Sequence, residues 1–184
     1  MRPDSTSLDG PLIILLDLNY TLVANSPPSG TTPPRMEKRL QEERYRQWLV
    51  ELVRPHTVIL ITARPDRWQE ATLDRIEQET AWRPDDACFA PKGWWNPPAI
   101  KEHLLRKDIF PVHGQDARYI AIESNPRTRE MYARFEIPCF WVTEDGTGLT
   151  ELTRILKRLP LDNGAPCSTE GGDTWRGVDG PQDP

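Results

Sequence analysis

Polar side chains stand at the ends of three short apolar runs, and their types suit the transfer of a phosphoryl group. Asp17, Thr62 and Glu123 each stand at the end of one such run, and Arg64 closely follows Thr62. A carboxylate can attack phosphorus and split one difficult step into two easier ones. Hydroxyl and guanidinium donors can then stabilise the charge on the phosphoryl oxygens, which is the main source of catalysis in phosphoryl transfer.

The same positions offer oxygen ligands for a metal ion. Mg²⁺ is a hard cation that prefers carboxylate and carbonyl oxygens and retains several waters. Asp17, the backbone carbonyl of Asn19 and Glu123 fit that preference. The three histidines and three cysteines lack the spacing of metal ligands, so they are not candidates for the site.

These residues need a scaffold that brings the ends of separate runs together. Short continuous apolar runs are typical of strands buried on both faces of a sheet, and segments with apolar residues at helical spacing lie between them. The predicted strands are 11–18, 57–61, 87–90, 119–122 and 138–142, and the predicted helices are 35–53, 66–80, 98–107, 126–135 and 148–159.

This alternation predicts the α/β class, with a three-layer α/β/α, Rossmann-like fold and a central parallel sheet of about five strands. In such sheets, ligands bind beyond the carboxyl ends of the strands, near the point where the strand order reverses. The candidate residues stand at such ends, so we expect them to converge. Between the first two strands there is room only for a Pro-rich loop and one helix, so the predicted domain is capless and its site is open.

The composition predicts one folded domain at 11–159, between a flexible N-terminus at 1–10 and a disordered tail at 160–184. The tail is rich in Gly, Asp and Pro, and it can bury too little apolar surface to offset its ordering entropy. No apolar run approaches the ~20 residues of a membrane span, and the N-terminus lacks a signal-peptide pattern. We therefore expect a soluble, cytoplasmic protein, and the sequence leaves its oligomeric state open.

The charge balance limits the kind of partner that the chain can bind. A net charge of −5 argues against an extended nucleic-acid surface, because such binding draws its affinity from many contacts between basic residues and phosphates. A local basic pocket is compatible with this balance. Trp94 and Trp95 lie in a Pro-rich loop beyond the third strand, where they could stack a base at ~1–3 kcal/mol or simply pack the loop onto the domain.

Several motifs resemble those of the phosphatases of the haloacid-dehalogenase-like superfamily. The run LLDLNYTLV is similar to their first motif, VILITAR to the second and YIAIESNPRTREMY to the fourth. The closer resemblance is to the 3′-phosphatase domain of polynucleotide kinases, and it covers roughly 12–142. It is carried by the segments Thr62-Ala63-Arg64, Ala99-Ile100-Lys101-Glu102, Ile122-Glu123-Ser124-Asn125 and Cys139-Phe140-Trp141-Val142.

The resemblance implies a role for each matching residue. Asp17 would be the nucleophile and a metal ligand, and the backbone carbonyl of Asn19 would bind the same metal. Thr62 would bind a phosphoryl oxygen, and Lys101 would pair with both the phosphoryl group and Asp17. Glu123 would bind Mg²⁺ directly or through water. Thr21 and Arg64 are further candidates for contacts with the substrate, and Lys92 is the alternative to Lys101.

Ordinary structural roles are open for most of these positions. The Thr62 hydroxyl could bond the local backbone, and Arg64 and Lys101 could be solvated side chains of a loop and a helix. Glu123 could be an acid favoured by the N-terminal end of the helix that follows it. Asn125 is more simply the cap of that helix than a ligand.

Two positions depart from the phosphatase pattern. Asn19 stands where the family has a second Asp, which protonates the leaving oxygen and then activates water, and the loss of a general acid and base costs roughly 10²–10⁴-fold. Ser124 stands where a second acid is usual in the fourth motif, which should weaken Mg²⁺ binding. The chain could still hydrolyse esters with good leaving groups or recruit another base, could keep a slowly hydrolysed aspartyl-phosphate, or could bind without turnover.

The predicted function is therefore Mg²⁺-dependent hydrolysis of a phosphomonoester through an aspartyl-phosphate. The favoured substrate is a nucleic-acid 3′-phosphate or a nucleotide, as the resemblance implies. The alternative is a catalytically impaired binding or regulatory protein on the same fold.

Overall fold

The computed structural model describes residues 11–27, 35–93, 96–142 and 150–158 of the chain. Its strands are β1 (Leu12–Leu16), β2 (Thr57–Pro65), β3 (Asp86–Ala90), β4 (Arg118–Glu123) and β5 (Cys139–Trp141). Its helices are α1 (Met36–Glu42), α2 (Gln47–Val53), α3 (Gln69–Thr80), α4 (Pro97–Leu104), α5 (Phe110–His113), α6 (Pro126–Ala133) and α7 (Thr150–Arg158). A 3₁₀ turn (Asp66–Trp68) precedes α3, and a π-helical turn (Leu105–Ile109) joins α4 to α5.

The five strands form one parallel sheet in the order β3-β2-β1-β4-β5. The central strand is β1, whose Leu16 pairs with Leu60 of β2 on one side and with Ile122 of β4 on the other. The strands that follow β1 in the chain, β2 and β3, lie on one side of it, whereas β4 and β5 lie on the other side. The strand order therefore reverses at β1, and a ligand site is expected at the carboxyl end of this strand.

Helices cover both faces of the sheet, which is why every residue of β1 is buried. Ile14 and Leu16 face the apolar cluster that includes side chains of α2, α3 and α7. Ile13 and Leu15 face the cluster that includes side chains of α4 and α6. This alternation follows from the two-residue period of a strand. The predicted three-layer α/β/α fold with five parallel strands is confirmed.

The prediction of a single helix at 35–53 is wrong, because α1 and α2 are separate helices. The backbone between them leaves the helical path and pairs with the segment that follows β1. The N–H of Ala24 donates to the carbonyl of Arg44 at 2.8 Å, and the N–H of Arg46 donates to the carbonyl of Leu22 at 2.9 Å. Glu43, which lies in this break, is buried, and Arg64 of β2 donates to its carboxylate.

Other expected boundaries shift or lie outside the described residues. The helix predicted at 98–107 continues through the π-helical turn to the end of α5, so its predicted end is too early. The predicted N-terminal segment 1–10 and tail 160–184 lie outside the described residues. Within the described part of the chain, every helix is too short or too polar to cross a membrane.

We expect Leu15→Ala to lower the free energy of unfolding by about 3 kcal/mol, because Leu15 is completely buried in the central strand and its truncation leaves a cavity. Urea denaturation followed by circular dichroism measures this change. Val112→Ala is the control, since Val112 is 72% exposed and surface changes stay within about 0.5 kcal/mol. Similar midpoints for the two variants would contradict the central position of β1.

Candidate active site

The carboxylate of Asp17 lies directly beyond β1 and is almost completely buried. Its backbone N–H donates to the carbonyl of Ile122 at 3.0 Å, which extends the β1–β4 pairing by one residue. The hydroxyl of Thr21 donates to Oδ2 of Asp17 at 2.6 Å, and the ammonium of Lys101 donates to Oδ1 at 2.5 Å. Both carboxylate oxygens are therefore held in a fixed orientation.

A tight turn after β1 brings Thr21 back to Asp17. The N–H of Leu22 donates to the carbonyl of Asp17 at 3.3 Å, and the N–H of Val23 donates to the carbonyl of Leu18 at 2.8 Å. Tyr20 adopts a φ of 63° within this turn. A bulky residue rarely takes this left-handed conformation, so the turn is a strained element beside the carboxylate.

Lys101 projects from α4 into the site and is only 1% exposed. Its ammonium also donates to Oε2 of Glu123 at 2.6 Å, so it lies between the carboxylates that follow β1 and end β4. Burial opposes the charge of Lys101, but Asp17 and Glu123 together outweigh burial and raise its pKa. Lys92 is exposed, and the geometry therefore favours Lys101 as the lysine of the site. The alternative that Lys101 is a solvated side chain on the surface of a helix is therefore wrong.

The side chain of Glu123 is buried and anchored at the start of α6. Its Oε1 accepts the backbone N–H groups of Ser124 and Asn125, each at 2.9 Å. Burial, followed by the negative charge of Asp17, raises the pKa of Glu123 to about 7 despite the opposing effect of Lys101. Burial and the charge of Asp17 together thus outweigh the effect of the single ammonium that the two carboxylates share.

The site joins a small cavity of about 120 Å³ at the reversal point of the sheet. It is lined by Asp17, Asn19, Tyr20, Ala63, Pro97, Lys101, Glu123, Ser124, Asn125 and Thr128. Four predicted site residues, at positions 17, 19, 101 and 123, therefore share one cavity. The hydroxyl of Thr128 is buried there without a hydrogen-bond partner among the described residues, so it is available to a bound water or ligand.

The oxygen atoms around this cavity are the kind of ligand that a hard cation prefers. Asp17 and Glu123 supply carboxylate oxygens, and the hydroxyl of Ser124 contacts the backbone carbonyl of Asn19 at 3.4 Å, which keeps that oxygen beside the carboxylates. In the described residues no three His, Cys, Asp or Glu side chains converge. A bound cation would therefore need the Asn19 carbonyl and water as further ligands, which Mg²⁺ accepts.

The side chain of Asn19 is held by two arginines instead of pointing freely into the cavity. Arg39 donates to Oδ1 of Asn19 at 2.5 Å, and Arg64 donates to the same oxygen at 3.1 Å. Because guanidinium groups only donate, the amide must present its oxygen to them. The side chain of Asn19 is thus used as a hydrogen-bond acceptor, and an amide cannot exchange protons with a substrate at neutral pH.

The two arginines are neutralised in part by a buried acid, Glu43. Arg64 donates through both terminal nitrogens to Glu43 and also donates to the hydroxyl of Thr72 at 2.9 Å. Arg39 lies 3.2 Å from the same carboxylate. Burial and the nearby charge of Arg64 lower the pKa of Arg39, against the effect of Glu43. Arg64 is buried, so the expectation of a solvated loop residue is wrong.

The remaining predicted residues make hydrogen bonds with the local backbone or lie outside the described residues. The hydroxyl of Thr62 is buried and accepts the backbone N–H of Arg64 at 3.1 Å, while the neighbouring Ala63 lines the cavity. The Asn125 side chain accepts the N–H of Arg127 at 3.0 Å and caps α6, as the simpler interpretation of this residue predicted. Trp94 and Trp95 lie outside the described residues, and their contact with a substrate stays a prediction.

Residues that the sequence did not single out complete the site, chiefly Arg39, Glu43 and Thr128. Arg39 and Glu43 are four positions apart, which is the ordinary spacing of an ion pair on a helix surface. Nothing in their spacing distinguishes them from the exposed pair of Lys38 and Glu42. Their burial depends on the break between α1 and α2, which involves residues far away in the chain.

Comparisons with known proteins identify the fold but not the family. No family model matches the chain, and no curated protein matches it. One similar solved structure is a chain of the Pnkp1/Rnl/Hen1 RNA repair complex, with a TM-score of 0.58 and 18% identity over 76% of this chain and 44% of that chain. A second chain of a Pnkp1/Rnl/Hen1 complex matches with a TM-score of 0.58 and 17% identity, over 76% of this chain and 48% of that one.

This protein thus spans less than half the length of the chains to which it is similar. The identity is low, so the likeness shows a related fold. One fold can support many different activities, so the activity of this protein is inferred from the residues of the site.

We expect Glu43→Gln to destabilise the protein by about 3 kcal/mol, because it leaves the buried Arg64 and the partly buried Arg39 without their counter-charge. The neighbouring Glu42→Gln is the control, since Glu42 is exposed and lies 3.7 Å from Lys38 on the surface. An exposed pair contributes at most about 1 kcal/mol. Urea denaturation of both variants gives the comparison, and equal losses would show that Glu43 is not the buried counter-ion.

Proposed function

We propose that the chain is a Mg²⁺-dependent phosphomonoester hydrolase of the haloacid-dehalogenase type, with Asp17 as its nucleophile. The observation that carries the proposal is the buried arrangement of Asp17, Lys101 and Glu123 at one cavity. A carboxylate beyond the central strand, a fixed ammonium and a second carboxylate are the parts that an aspartyl-phosphate mechanism needs. Their position at the reversal of the strand order is where ligands bind in open α/β sheets.

In the first step, a carboxylate oxygen of Asp17 attacks phosphorus. A bond forms between this oxygen and phosphorus, and the ester bond breaks, so that the leaving oxygen departs with the bonding electrons and takes a proton from water. Lys101 lies against Asp17 and stabilises the phosphoryl oxygens as their charge rearranges. In the second step a water oxygen forms a bond to phosphorus, the bond between phosphorus and the Asp17 oxygen breaks, and the water proton passes to solvent. Inorganic phosphate is released and the carboxylate is restored.

Asp17, the backbone carbonyl of Asn19 and Glu123 would hold Mg²⁺. When bound, the cation supplies electrostatic stabilisation of the phosphoryl oxygens. It would also oppose the effects of burial and of the Asp17 charge, which together raise the pKa of Glu123 to about 7. Thr21 keeps Asp17 oriented, because its hydroxyl fixes the carboxylate oxygen that does not contact Lys101.

Asn19 restricts the esters that such a site can hydrolyse. Its amide oxygen already accepts bonds from Arg39 and Arg64, and an amide cannot protonate a leaving oxygen. Among esters that bind equally well, those whose leaving group is stable without a proton should therefore react fastest. This restriction also supports the second candidate function, a protein that binds phosphate esters and does not turn them over.

The favoured substrate is the 3′-phosphate of a nucleic-acid end or a nucleotide. Within the described residues, only α1 and α2 stand between β1 and β2, which suits an open site. The similar folds occur in an RNA repair complex. The sequence resemblance to 3′-phosphatase domains points to the same class of substrate.

We expect the wild-type protein to hydrolyse 4-nitrophenyl phosphate in the presence of Mg²⁺, and Asp17→Asn to abolish this activity. Nitrophenolate is a good leaving group, so the reaction does not need a general acid. Release of nitrophenolate and of inorganic phosphate, with and without a chelator, measures the reaction. Circular dichroism should show that the Asp17→Asn variant is folded.

Asn19→Asp should raise turnover, but by less than about 100-fold, which is the lower end of the gain from a general acid and base. Arg39 and Arg64 would hold the new carboxylate ionised, as a usable base and a poor acid. Asn125→Asp is the matched control, because it adds the same charge at the cavity and keeps a good helix cap. An inert wild type together with an active Asn19→Asp variant would establish the binding-protein alternative.

We expect a 3′-phosphorylated oligonucleotide to be dephosphorylated with a higher kcat/KM than a free 3′-mononucleotide. The open site can contact more than one nucleotide, and each added stacked base contributes binding energy. Release of inorganic phosphate from both substrates measures the difference. Equal values of kcat/KM would remove the preference for a polynucleotide and leave the phosphatase activity standing.

A further inference from the structure

We propose that a second cavity beside the catalytic one binds the nucleobase next to the scissile phosphate, by stacking on Trp141 and Tyr20. The proposal rests on the proposed function, because it names how the same site would recognise a phosphorylated nucleic-acid end. It assigns recognition to a pair of aromatic residues other than Trp94 and Trp95.

The second cavity has a volume of about 370 Å³ and adjoins the catalytic cavity, with which it shares lining residues. Tyr20 and Ser124 line both cavities, while Arg46 and Trp141 line the larger one. Its volume falls in the range of about 300–1,000 Å³ that small-molecule sites occupy. The smaller cavity therefore suits a phosphoryl group, and the larger one suits the nucleoside attached to it.

Two exposed aromatic side chains distinguish this cavity from the rest of the surface. Trp141 is 51% exposed and Tyr20 is 43% exposed, and they are two of the four large apolar side chains that stand out to solvent in the described residues. Single exposed apolar residues are ordinary, but adjacent ones in a concave site indicate binding. Aromatic rings accept any base, because every base has a π-face.

Tyr20 is held where the two cavities meet. Its backbone N–H donates to the hydroxyl of Ser26 at 2.8 Å, and its phenol donates to the carbonyl of Pro27 at 2.6 Å. These bonds fix both ends of the residue in its left-handed conformation at a φ of 63°. A strained conformation persists only when its surroundings determine it, and such residues concentrate at ligand sites.

The charges around the cavity match an anionic strand. The guanidinium of Arg129 lies 5.7 Å from the centre of the Trp141 ring, and Arg46 lines the cavity while donating through Nε to the carbonyl of Thr21 at 3.0 Å. The chain as a whole carries a net charge of −5. This local basic patch therefore suits one or two nucleotides and not a long duplex, which would need many phosphate contacts.

The experiment compares Trp141→Ala with Trp48→Ala in the full chain. Trp48 is 40% exposed on α2 and does not line either cavity, so it is a matched control. Turnover is measured on a 3′-phosphorylated pentanucleotide and on acetyl phosphate, which has a good leaving group but no ring. Binding of the labelled pentanucleotide is measured by fluorescence anisotropy in the Asp17→Asn background.

We expect Trp141→Ala to lower the ratio of kcat/KM for the pentanucleotide to that for acetyl phosphate by about ten-fold, which is within the energy of one stacked base. It should weaken pentanucleotide binding by a similar factor, and Trp141→Phe should restore most of the affinity because it keeps a ring. Trp48→Ala should change neither quantity. Circular dichroism checks that each variant is folded.

The two proposals fail in different ways. If no ester is hydrolysed but the pentanucleotide binds through Trp141, the phosphatase assignment is lost and the base site stands. If hydrolysis proceeds but Trp141→Ala and Trp48→Ala behave alike, the base site is overturned and the phosphatase assignment stands. A phosphoserine peptide that binds with the same dependence on Trp141 would also overturn the nucleobase assignment.

Discussion

The ammonium of Lys101 between Asp17 and Glu123 is the interaction on which the site depends. It connects α4 to the carboxyl ends of β1 and β4, and both of its hydrogen bonds are buried. An ion that leaves water loses several kcal/mol of solvation, which only close counter-charges can offset. The three groups must therefore be placed together by the fold, and the sheet order puts the two acids side by side.

The sequence was sufficient for the architecture because its signals are local. β1 and β4 are continuous apolar runs, and such runs are buried on both faces of a parallel sheet. Since the carboxyl ends of parallel strands meet at one edge, the proximity of Asp17 and Glu123 followed from the strand assignments alone. Lys101 followed from the resemblance, in which it matches a lysine on the helix after the third strand, and Lys92 stayed open as the alternative.

The interior of the site could not be predicted in the same way. The break between α1 and α2 depends on backbone bonds from Arg44 and Arg46 to the turn after β1, about twenty residues earlier. Helical spacing from Arg35 to Val53 contains no sign of such a long-range pairing. The burial of Glu43 and the arginine pair around Asn19 depend on that break, so they were hidden as well. The positive φ of Tyr20 could not be predicted either, because residue preferences assign this backbone conformation to Gly, Asn or Asp and not to a bulky residue.

Two groups of charged side chains at the site are together electroneutral. Asp17, Glu123 and Lys101 form one group, and Arg39, Arg64 and Glu43 form the other, so acids and bases are equal in number. A phosphate dianion would disturb this balance among largely buried charges, and a divalent cation would restore it. Anion and cation are thus expected to bind cooperatively, and by thermodynamic reciprocity each would raise the affinity of the other by the same factor.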